Sequence, residues 1–561
     1  MNKLIECVPN FSEGNDMNII KQITNEIESV EGVKLLNVDP GKATNRTVVT
    51  FVGNPEAVIN AAFLAIKKAS ELIDLSKHKG EHPRMGATDV CPLIPISNIS
   101  MEETAEYAKQ LGARVGKELN IAVYLYEAAQ VNKNRNNLSV IRGGEYEGFF
   151  KKIKLPEWKP DYGPAEHSVK SGSTVIGARD FLVAYNVNLN TTSTRRANSI
   201  AFDVREAGRV KREGNAVTGK IVTDEKGNPV NIPGSLKSVK AIGWYIEEYG
   251  IAQISMNLTN INITPVHIAF DEVCKKATER GIRVTGSELV GLVPLKSMID
   301  AGKYFLEKQN RSIGVSEKEL IKIAVKSLGL DELSPFKPEE RIIEYLLKDI
   351  TSARLINMNL IEFANETASE SPAPGGGSIS AYVGALGISL GTMVANLSSH
   401  KPGWDDRWKE FSDWAGKGQH YKNELMRLVE EDTTAFNRIM TAFGLPKSTD
   451  EEKKARTQAI QEATKYATEV PFKVMQLCFD SMEVIKAMVE FGNPNSITDA
   501  GVGALCARSA VMGAYLNVKI NASGLTDKDF ATQLISQGLV LEGKTQALEA
   551  EILKLVNSKI K

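Results

Sequence analysis

Hydrophobic and polar positions change their period along the chain, and these changes predict three regions. Over residues 1–127, short apolar runs and amphipathic helical segments follow one another in the order strand, helix, strand, strand, helix. This is the order of the ferredoxin-like, or split βαβ, fold. Strands are predicted at 4–9, 33–39, 46–53, 90–96 and 121–127, and helices at 17–29, 55–72 and 102–119.

The same order returns after residue 180. The segment 181–190 (FLVAYNVNLN) alternates apolar and polar residues, as a half-buried strand does. Helices are predicted at 193–206, 266–280 and 295–308, and strands at 239–249, 251–258 and 282–293. We therefore expect two ferredoxin-like α/β subdomains, 1–179 and 180–325, with a cleft near their join.

From about residue 340 the strand patterns nearly disappear. Long helical segments alternate with short breaks that contain Gly or Pro, at 372–377, 444–449, 492–496 and 524–527. We interpret 341–561 as an all-α helical bundle. Residues 326–340 (KSLGLDELSPFKPEE) hold two Pro among charges and are predicted to be the linker.

Composition supports a globular multidomain protein and excludes several function classes. At roughly 150 residues per domain, 561 residues exceed a single core. A net charge of −1 argues against a broad cationic surface for nucleic acid or anionic lipid. The five Cys form no CxxC pair, and the opening residues contain no signal-peptide pattern, so we expect a cytoplasmic protein.

One uncharged stretch is long enough to cross a bilayer. Residues 371–399 carry no formal charge over 29 positions, against about 20 needed for a membrane span. The stretch opens with SPAPGGGS and is rich in Gly, Ser and Ala rather than Leu, Ile and Phe. Because small residues let helices approach closely, we expect a buried helix of the bundle and no membrane span.

The first candidate for chemistry is His82, which stands with His78 in a Gly- and Pro-bounded loop before a predicted strand. The following proline disfavours helix at His82, so helix packing does not explain this residue. A solvated loop histidine and a proton shuttle remain open, because His titrates near neutral pH. The charged neighbours that could set its pKa are Glu81, Arg84 and Asp89.

The spacing of His78 and His82 does not predict zinc. Gly80 and Pro83 interrupt the helix that an HxxxH zinc site requires. A third ligand is not evident in the sequence, so we expect no metal.

Two further segments contain polar residues at places where a cleft is expected. Asp39 ends a predicted strand, and Arg46 begins the next strand across the turn. This arrangement is typical of an ion pair or a turn cap, and could instead orient a cationic substrate. Residues 161–181 (DYGPAEHSVKSGSTVIGARDF) have several Gly and Pro breaks, which suit either a linker or close backbone approach to a ligand.

In the helical region, Asp432 is predicted to point inward. It lies four residues from both Leu428 and Phe436, on a face that also carries Leu425 and Ile439. An inward carboxylate must be paired, hydrogen-bonded or protonated. A buried structural ion pair and a general acid with a raised pKa both remain open.

Taken together, these segments resemble the formimidoyltransferase-cyclodeaminase family, over essentially the whole chain. The resemblance to the transferase half is carried by ECVPNFSEG (6–14), NVDPGKATNRTVVTFVG (37–53), GEHPRMGATDVCP (80–92) and DYGP…GARDFLVAYNVNL (161–189). The resemblance to the cyclodeaminase half is carried by SPAPGGGS (371–378), the Asp432 helix, LPK (445–447) and NPNSITDAGVGAL (493–505).

The resemblance implies that the first half transfers the formimino group of N-formimino-L-glutamate to tetrahydrofolate. His82 matches the catalytic histidine of the family, and Asp39 and Arg46 match polar positions of its cleft. The loop from Gly163 to Gly172 matches the family's folate-binding loop. Its middle, AEHSVKS, diverges, so only Gly163, Pro164 and Gly172 are carried over.

The resemblance further implies that the second half cyclises 5-formiminotetrahydrofolate to 5,10-methenyltetrahydrofolate with release of ammonia. Asp432 matches the family's proton donor. The implied folate is a co-substrate, with polyglutamylation to keep the intermediate bound, and the implied assembly is a homo-oligomer whose cyclodeaminase sites are completed between subunits. Alternatives are that only one activity is retained, that the donor is formyl, or that the chain is a non-catalytic folate-polyglutamate scaffold.

Overall fold

The computed structural model describes residues 3–42, 44–80, 82–214, 218–225, 227–347 and 354–560. They form two compact units. The first unit comprises Met1–Met298 with Val325–Leu346, and the second comprises Ile299–Ala324 with Leu347–Lys561.

A seven-stranded sheet forms the first subdomain of the first unit. Its strands are β1 (Leu4–Cys7), β2 (Asn10–Phe11), β3 (Val33–Gly41), β4 (Arg46–Gly53), β5 (Thr88–Ser97), β6 (Val123–Glu127) and β7 (Thr174–Ala178). Its helices are α1 (Met17–Glu28), α2 (Pro55–Leu72), α3 (Met101–Glu118), α4 (Leu138–Arg142) and α5 (Glu145–Lys152). Strand β1 lies between β4 and β5 and is antiparallel to both, and β3 pairs with β4, which is the ferredoxin-like arrangement.

Strand β7 and the helices α4 and α5 of this subdomain were not predicted. Strand β7 inserts between β5 and β6 and is parallel to both. Its sequence, TVIGA, is buried at every position, so it lacks the alternation that identifies a half-exposed strand. Helices α4 and α5 are only 5 and 8 residues long, too short for a helical period to be evident.

The second subdomain is a four-stranded sheet with helices on one side. Its elements are β8 (Val183–Leu189), α6 (Thr194–Val204), the small hairpin β9 (Arg209–Val210) and β10 (Asn231–Ile232), β11 (Val239–Ile246), β12 (Ile251–Leu258), α7 (Val266–Thr278) and β13 (Val284–Val290). The strand order β11-β12-β8-β13 repeats the ferredoxin-like order of the first sheet. The predicted pair of ferredoxin-like subdomains is therefore confirmed.

Residues 295–347, which include the predicted linker 326–340, are largely helical. They contain α8 (Leu295–Lys308), α9 (Glu317–Leu328), α10 (Pro338–Arg341) and α11 (Ile343–Leu347). Part of the predicted linker packs on the second sheet, because the N–H of Ser287 donates to the Gly329 carbonyl and Asn188 donates to Glu332. The chain thus contributes 299–324 to the second unit before it returns to the first unit at Val325.

The second unit is nearly all helical, as predicted. Its helices after residue 354 are α12 (Leu360–Thr367), α13 (Gly376–Ser399), α14 (Trp408–Phe443), α15 (Asp450–Phe491), α16 (Ile497–Ser523) and α17 (Lys528–Lys559). Small residues bring α13 and α16 together: a Cβ placed on Gly387 would lie 2.8 Å from the carbonyl oxygen of Gly503. Alanines such as Ala385 and Ala507 are fully buried in the same core.

By length and apolar composition, α13 is the single described helix that could span a membrane. About 61% of its most apolar window is buried within the bundle. Buried Ser378, Ser380 and Thr392 lie on it, and the hydroxyls of Ser380 and Thr392 bond to carbonyls of the preceding turn. The helix is built as a core helix of the second unit.

Candidate active sites

The imidazole of His82 lies in the loop between α2 and β5 and is half-buried. Its Nδ1 lies 2.7 Å from the carbonyl oxygen of Pro83. A carbonyl can only accept, so Nδ1–H donates and Nε2 keeps a free lone pair. Burial, together with the positive charges of Arg46 and Arg142, lowers the pKa of His82 to about 3. The imidazole is therefore neutral at pH 7 with Nε2 free to accept a proton, and in this environment it is a weaker base than an ordinary histidine.

His78, the other candidate in the loop, is committed to hydrogen bonds at both nitrogens. Its Nε2 donates to the carbonyl of Asn45 at 2.8 Å, and its Nδ1 accepts from Nε of Arg84 at 3.2 Å. His78 therefore has a structural role, since it connects the loop to Asn45 and to Arg84. Within the described ranges, no group of three or more His, Cys, Asp or Glu side chains is arranged to hold a metal ion.

The charges around His82 come from residues distant in sequence. Nη1 of Arg46 and Nη2 of Arg142 both donate to Oδ2 of Asp89, at 2.5 and 2.6 Å. Asp89 is fully buried, and its Oδ1 accepts the N–H of Met85. Burial alone would raise the pKa of Asp89, but Arg142 and Arg46 outweigh it and lower the pKa. Among the predicted neighbours of His82, Asp89 belongs to this cluster and Arg84 binds Glu147 instead, while Glu81 lies outside the described residues.

Asp39 and Arg46 do not form the ion pair that their sequence positions allow. Arg46 binds Asp89, and within the described part of the chain Asp39 has no ion-pair partner. Asp39 lies opposite Val48 in the β3–β4 pair and faces Tyr249 of the second subdomain. Burial, Glu288, Glu248 and Asp39 together raise the pKa of the Tyr249 phenol. Asp39 is therefore a half-buried carboxylate whose charge acts on Tyr249 of the second subdomain.

The loop 163–172 has glycines at its ends because no larger residue fits there. Gly163 and Gly172 have φ of +79° and +67°. A Cβ on Gly163 would lie 2.2 Å from the carbonyl oxygen of Ile121, and one on Gly172 would lie 2.2 Å from that of Met85. Half-buried Pro164 follows the first of these. The structure thus brings the end of the loop beside the His82 segment and the start beside the α3–β6 connection.

The divergent middle of the loop is held by His167, whose role the sequence did not indicate. This residue is 7% exposed and lies among the rings of Tyr146, Phe149 and Phe150. Its Nδ1 is 2.8 Å from Oγ of Ser173. Burial lowers the pKa of His167 to about 4, so the imidazole packs in its neutral form.

We expect this buried imidazole to make the protein sensitive to acid. Unfolding restores a pKa near 6.5, so below pH 6.5 the unfolded state binds more protons and stability falls as the pH decreases toward 4. His167→Phe should remove the effect, so that the wild type loses about 2 kcal/mol more than the variant between pH 7 and pH 5. Urea titrations at both pH values measure this difference, and equal losses would contradict the assignment.

In the second unit, Asp432 of α14 binds the first turn of α13. Its Oδ2 accepts the N–H of Ser378 at 2.8 Å and lies 3.0 Å from the Ser378 hydroxyl. A Cβ on Gly377 would lie 2.1 Å from Oδ1, so only glycine lets the carboxylate come this close. Burial raises the pKa of Asp432 more than the bonds from Ser378 lower it. The carboxyl group is accordingly easier to protonate than a solvent-exposed one.

The predicted apolar face of α14 is only partly correct. Leu425 and Leu428 are buried, but Phe436 is 38% exposed, and the core continues through Val429 and Ala435 instead. Asp432 itself is half-buried rather than fully inward. No ion pair of Asp432 occurs among the described residues, so the buried ion-pair alternative does not hold.

Asn517 of α16 is a further polar residue at this site that the sequence did not single out. A Cβ on Gly376 would lie 3.2 Å from Nδ2 of Asn517, which itself donates to the Gly513 carbonyl. The amide therefore stands beside the same glycine turn that Asp432 contacts.

Comparison with known families covers nearly the whole chain. Residues 4–179 match the model of the formiminotransferase domain, N-terminal subdomain, residues 184–348 match the formiminotransferase domain, and residues 359–538 match formiminotransferase-cyclodeaminase.

Three curated relatives agree with these matches. Formimidoyltransferase-cyclodeaminase of Mus musculus is 42% identical over 550 residues, covering 98% of each chain. Glutamate formimidoyltransferase of Thermoplasma acidophilum is 40% identical over 57% of this chain and 98% of its own. Methenyltetrahydrofolate cyclohydrolase of Methylorubrum extorquens is 37% identical over 36% of this chain and 98% of its own. The chain belongs to the formimidoyltransferase-cyclodeaminase family.

Proposed function

We propose that this protein catalyses two consecutive one-carbon reactions on tetrahydrofolate. The first transfers the formimino group from N-formimino-L-glutamate, and the second closes the ring to 5,10-methenyltetrahydrofolate and releases ammonia. The observation that carries the proposal is that each half holds a candidate proton-transfer group: a neutral His82 with a free Nε2 lone pair in the first unit, and Asp432 with a raised pKa in the second. The full-length relatives named for both activities support it.

In the first reaction, N5 of tetrahydrofolate attacks the formimino carbon, and the bond from that carbon to the glutamate nitrogen breaks. The proton lost by N5 must reach the departing nitrogen. His82 accepts it on Nε2 and returns it to glutamate, as a positioned general base and acid. Asp39, as a half-buried carboxylate without an ion-pair partner among the described residues, is suited to hold the positively charged formimino group.

The glycine loop is proposed to bind folate beside His82. Its end is fixed to the His82 segment, because the N–H of Ala87 donates to the Ser171 carbonyl and the N–H of Ser173 to the Met85 carbonyl. The hydroxyl of Tyr146 donates to the Val169 carbonyl in the middle of the loop. A ligand held by this loop is therefore positioned relative to the imidazole by the backbone itself.

In the second reaction, N10 attacks the formimino carbon of 5-formiminotetrahydrofolate, and ammonia leaves. Asp432 is proposed to donate a proton to the leaving nitrogen and to recover one from N10. The N–H of Ser378, in the N-terminal turn of α13, donates to the carboxyl group of Asp432 and fixes its position. Neither reaction requires electron transfer, so folate serves as the carrier of the one-carbon group.

The test combines the purified chain with tetrahydrofolate and N-formimino-L-glutamate, and follows methenyltetrahydrofolate absorbance together with ammonia. Both signals should rise. Folate binding without either product would support a scaffold instead. Product from preformed 5-formiminotetrahydrofolate alone would mean that the first half lacks the transferase activity or uses another donor, such as a formyl compound.

A second candidate for the helical half is hydrolysis of methenyltetrahydrofolate, which the relative from Methylorubrum extorquens favours. The same acid could assist attack by water on the methenyl carbon. Loss of methenyl absorbance on addition of the protein to methenyltetrahydrofolate, with no ammonia present, would distinguish this reaction from cyclodeamination.

The folate is proposed to carry a polyglutamate tail that keeps the intermediate bound. A cavity of about 770 Å³ in the second unit is lined by Lys401, Lys422, His400 and the amides of Asn396 and Gln419. Burial lowers the pKa of Lys422 despite the opposing charge of Glu317. Cations and amides of this kind suit a chain of carboxylates.

We also propose a homo-oligomer in which a second copy covers the helical site. Large apolar side chains are exposed beside both site residues: Phe436 and Met440 one and two turns after Asp432, and Leu516 and Ile520 around Asn517. Leu516 and Ile520 are 62% and 67% exposed. Exposed apolar patches of this kind mark interfaces.

Leu516→Glu combined with Ile520→Glu should therefore reduce the mass of the assembly and the cyclodeaminase rate together. Light scattering after gel filtration measures the mass. Val131→Glu, at an 87%-exposed position of the first unit, is the control and should leave the mass unchanged. A wild-type protein that elutes as a 61.3 kDa monomer would contradict the proposal.

A further inference from the structure

Among the described residues, the cluster of Arg46, Asp89 and Arg142 holds two cations and one carboxylate, which leaves one positive charge without an ion-pair partner. Two guanidinium groups share one carboxylate oxygen. The side chains of Arg46, Arg142 and Asp89 are 8%, 14% and 0% exposed. Since desolvated charge is costly unless it is paired, this excess favours a bound anion.

The two arginines differ in the donors that remain. Arg46 uses Nη1 on Asp89 and Nε on Oδ1 of Asn10. Arg142 uses only Nη2, and its buried Nε has no hydrogen-bond partner in the described parts of the chain. A guanidinium has five N–H donors in a fork that matches a carboxylate. Arg142 therefore has more unused N–H donors than Arg46.

Two other arginine clusters among the described residues of the first unit are balanced by carboxylates. Arg84 lies near both Glu147 and Glu145. Arg209 and Arg280 share Asp203, but Arg280 also lies 4.0 Å from Glu279. The excess charge beside His82 is therefore a local feature of this site.

We propose that Arg142 binds a carboxylate of the N-formimino-L-glutamate donor, and that this carboxylate supplies the negative charge the cluster lacks. The inference rests on the proposed transferase function, whose donor carries two carboxylates. It also means that binding of the donor changes the basicity of His82. Arg46 and Arg142 are the cations that act on His82, so neutralising them makes the imidazole a stronger base when the donor is present.

The test separates donor binding from folate binding. Arg142→Gln should raise the KM for N-formimino-L-glutamate about 10- to 100-fold, the usual range for a charged hydrogen bond, with little change in the KM for tetrahydrofolate. In this variant the acid limb of the kcat/KM profile should move to higher pH, because the loss of one cation near His82 raises the pKa of the imidazole. Arg142→Lys should keep the charge and the acid limb, and still raise the donor KM because the fork is lost.

Arg280→Gln is the matched control, since it also removes one of two arginines from an aspartate and should change neither the donor KM nor the acid limb. A donor with a formimino group but no carboxylate should react slowly with the wild type. The Arg142→Gln variant should use this donor at the same rate as the wild type, because the donor has no group for Arg142 to bind. An unchanged donor KM in a folded Arg142→Gln protein would overturn the inference. Absence of transfer by the wild type would instead overturn the proposed function.

A measurement on the wild type covers the case in which the variants do not fold. Glutamate, the product, should bind with uptake of protons near pH 5, because its carboxylate raises the pKa of His82. Calorimetry in buffers of different ionisation enthalpy detects the uptake. Glutamate binding without proton uptake would contradict the coupling.

Discussion

Replacement of His82 by Ala should lower the transferase rate by about 10²–10⁴-fold, the usual contribution of a positioned acid-base group. The variant should still bind tetrahydrofolate, because the loop 163–172 is fixed by backbone contacts to Met85 and Ala87 and not by the His82 side chain. It should also still convert preformed 5-formiminotetrahydrofolate to the methenyl product, since that reaction depends on the second unit. Single-turnover formimino transfer and methenyl absorbance measure the two reactions separately.

His78→Gln is the control for this prediction. His78 lies in the same loop, but both of its nitrogens are occupied by Asn45 and Arg84, so its replacement should cost stability rather than the rate of proton transfer. A loss of rate as large as that of His82→Ala would contradict the assignment.

The pH dependence provides an independent check of His82. Because the pKa of the free imidazole is lowered to about 3, the acid limb of kcat/KM should lie well below pH 6.5. An acid limb at or above pH 6.5 would show that another group, or an imidazole in an ordinary environment, controls the reaction.

Replacement of Asp432 by Asn should stop the second reaction while the first continues. The expected loss is again about 10²–10⁴-fold, and 5-formiminotetrahydrofolate should accumulate without ammonia. Gly377→Ala should have the same effect with the carboxyl group still present, because the added Cβ would lie 2.1 Å from Oδ1 and displace it.

Gly375→Ala is the matched control in the same glycine run. A Cβ on Gly375 has nothing within 4 Å, and its backbone is extended, with φ of −97°. This variant should therefore keep the cyclodeaminase rate. Equal losses of cyclodeaminase rate in the two alanine variants would mean that the close approach of Gly377 and Asp432 is not the cause of the loss.

Much of the fold could be predicted because its elements carry local signals. The hairpin strands 46–53 and 251–258 and the helices 55–72 and 295–308 have the predicted bounds, since their apolar period and end residues are strong. Strand β7 could not be predicted in this way. Its five residues are buried on both faces between two parallel strands, and that environment exists only once the sheet has formed.

The residues of the candidate site likewise fall into those with a local sequence signal and those without one. His82 was evident because a histidine before proline has no structural explanation within a helix, and Asp432 because of its place on an apolar helical face. Asp89 was not evident as the shared partner of Arg46 and Arg142, since 43 and 53 residues separate it from these two arginines. Charge pairing at such separations depends on strand order and on where α4 ends.

The sequence by itself determined the order of the two α/β subdomains and the helical bundle, and the candidate proton-transfer groups. The tertiary structure alone decided what surrounds these groups. It sets His82 beside two buried cations, turns Asp39 toward the second subdomain rather than toward Arg46, and places Asp432 against the first turn of α13. The physical reason is that periodicity and turn chemistry act over a few residues, whereas burial and the field of nearby charges depend on residues brought together by the whole fold.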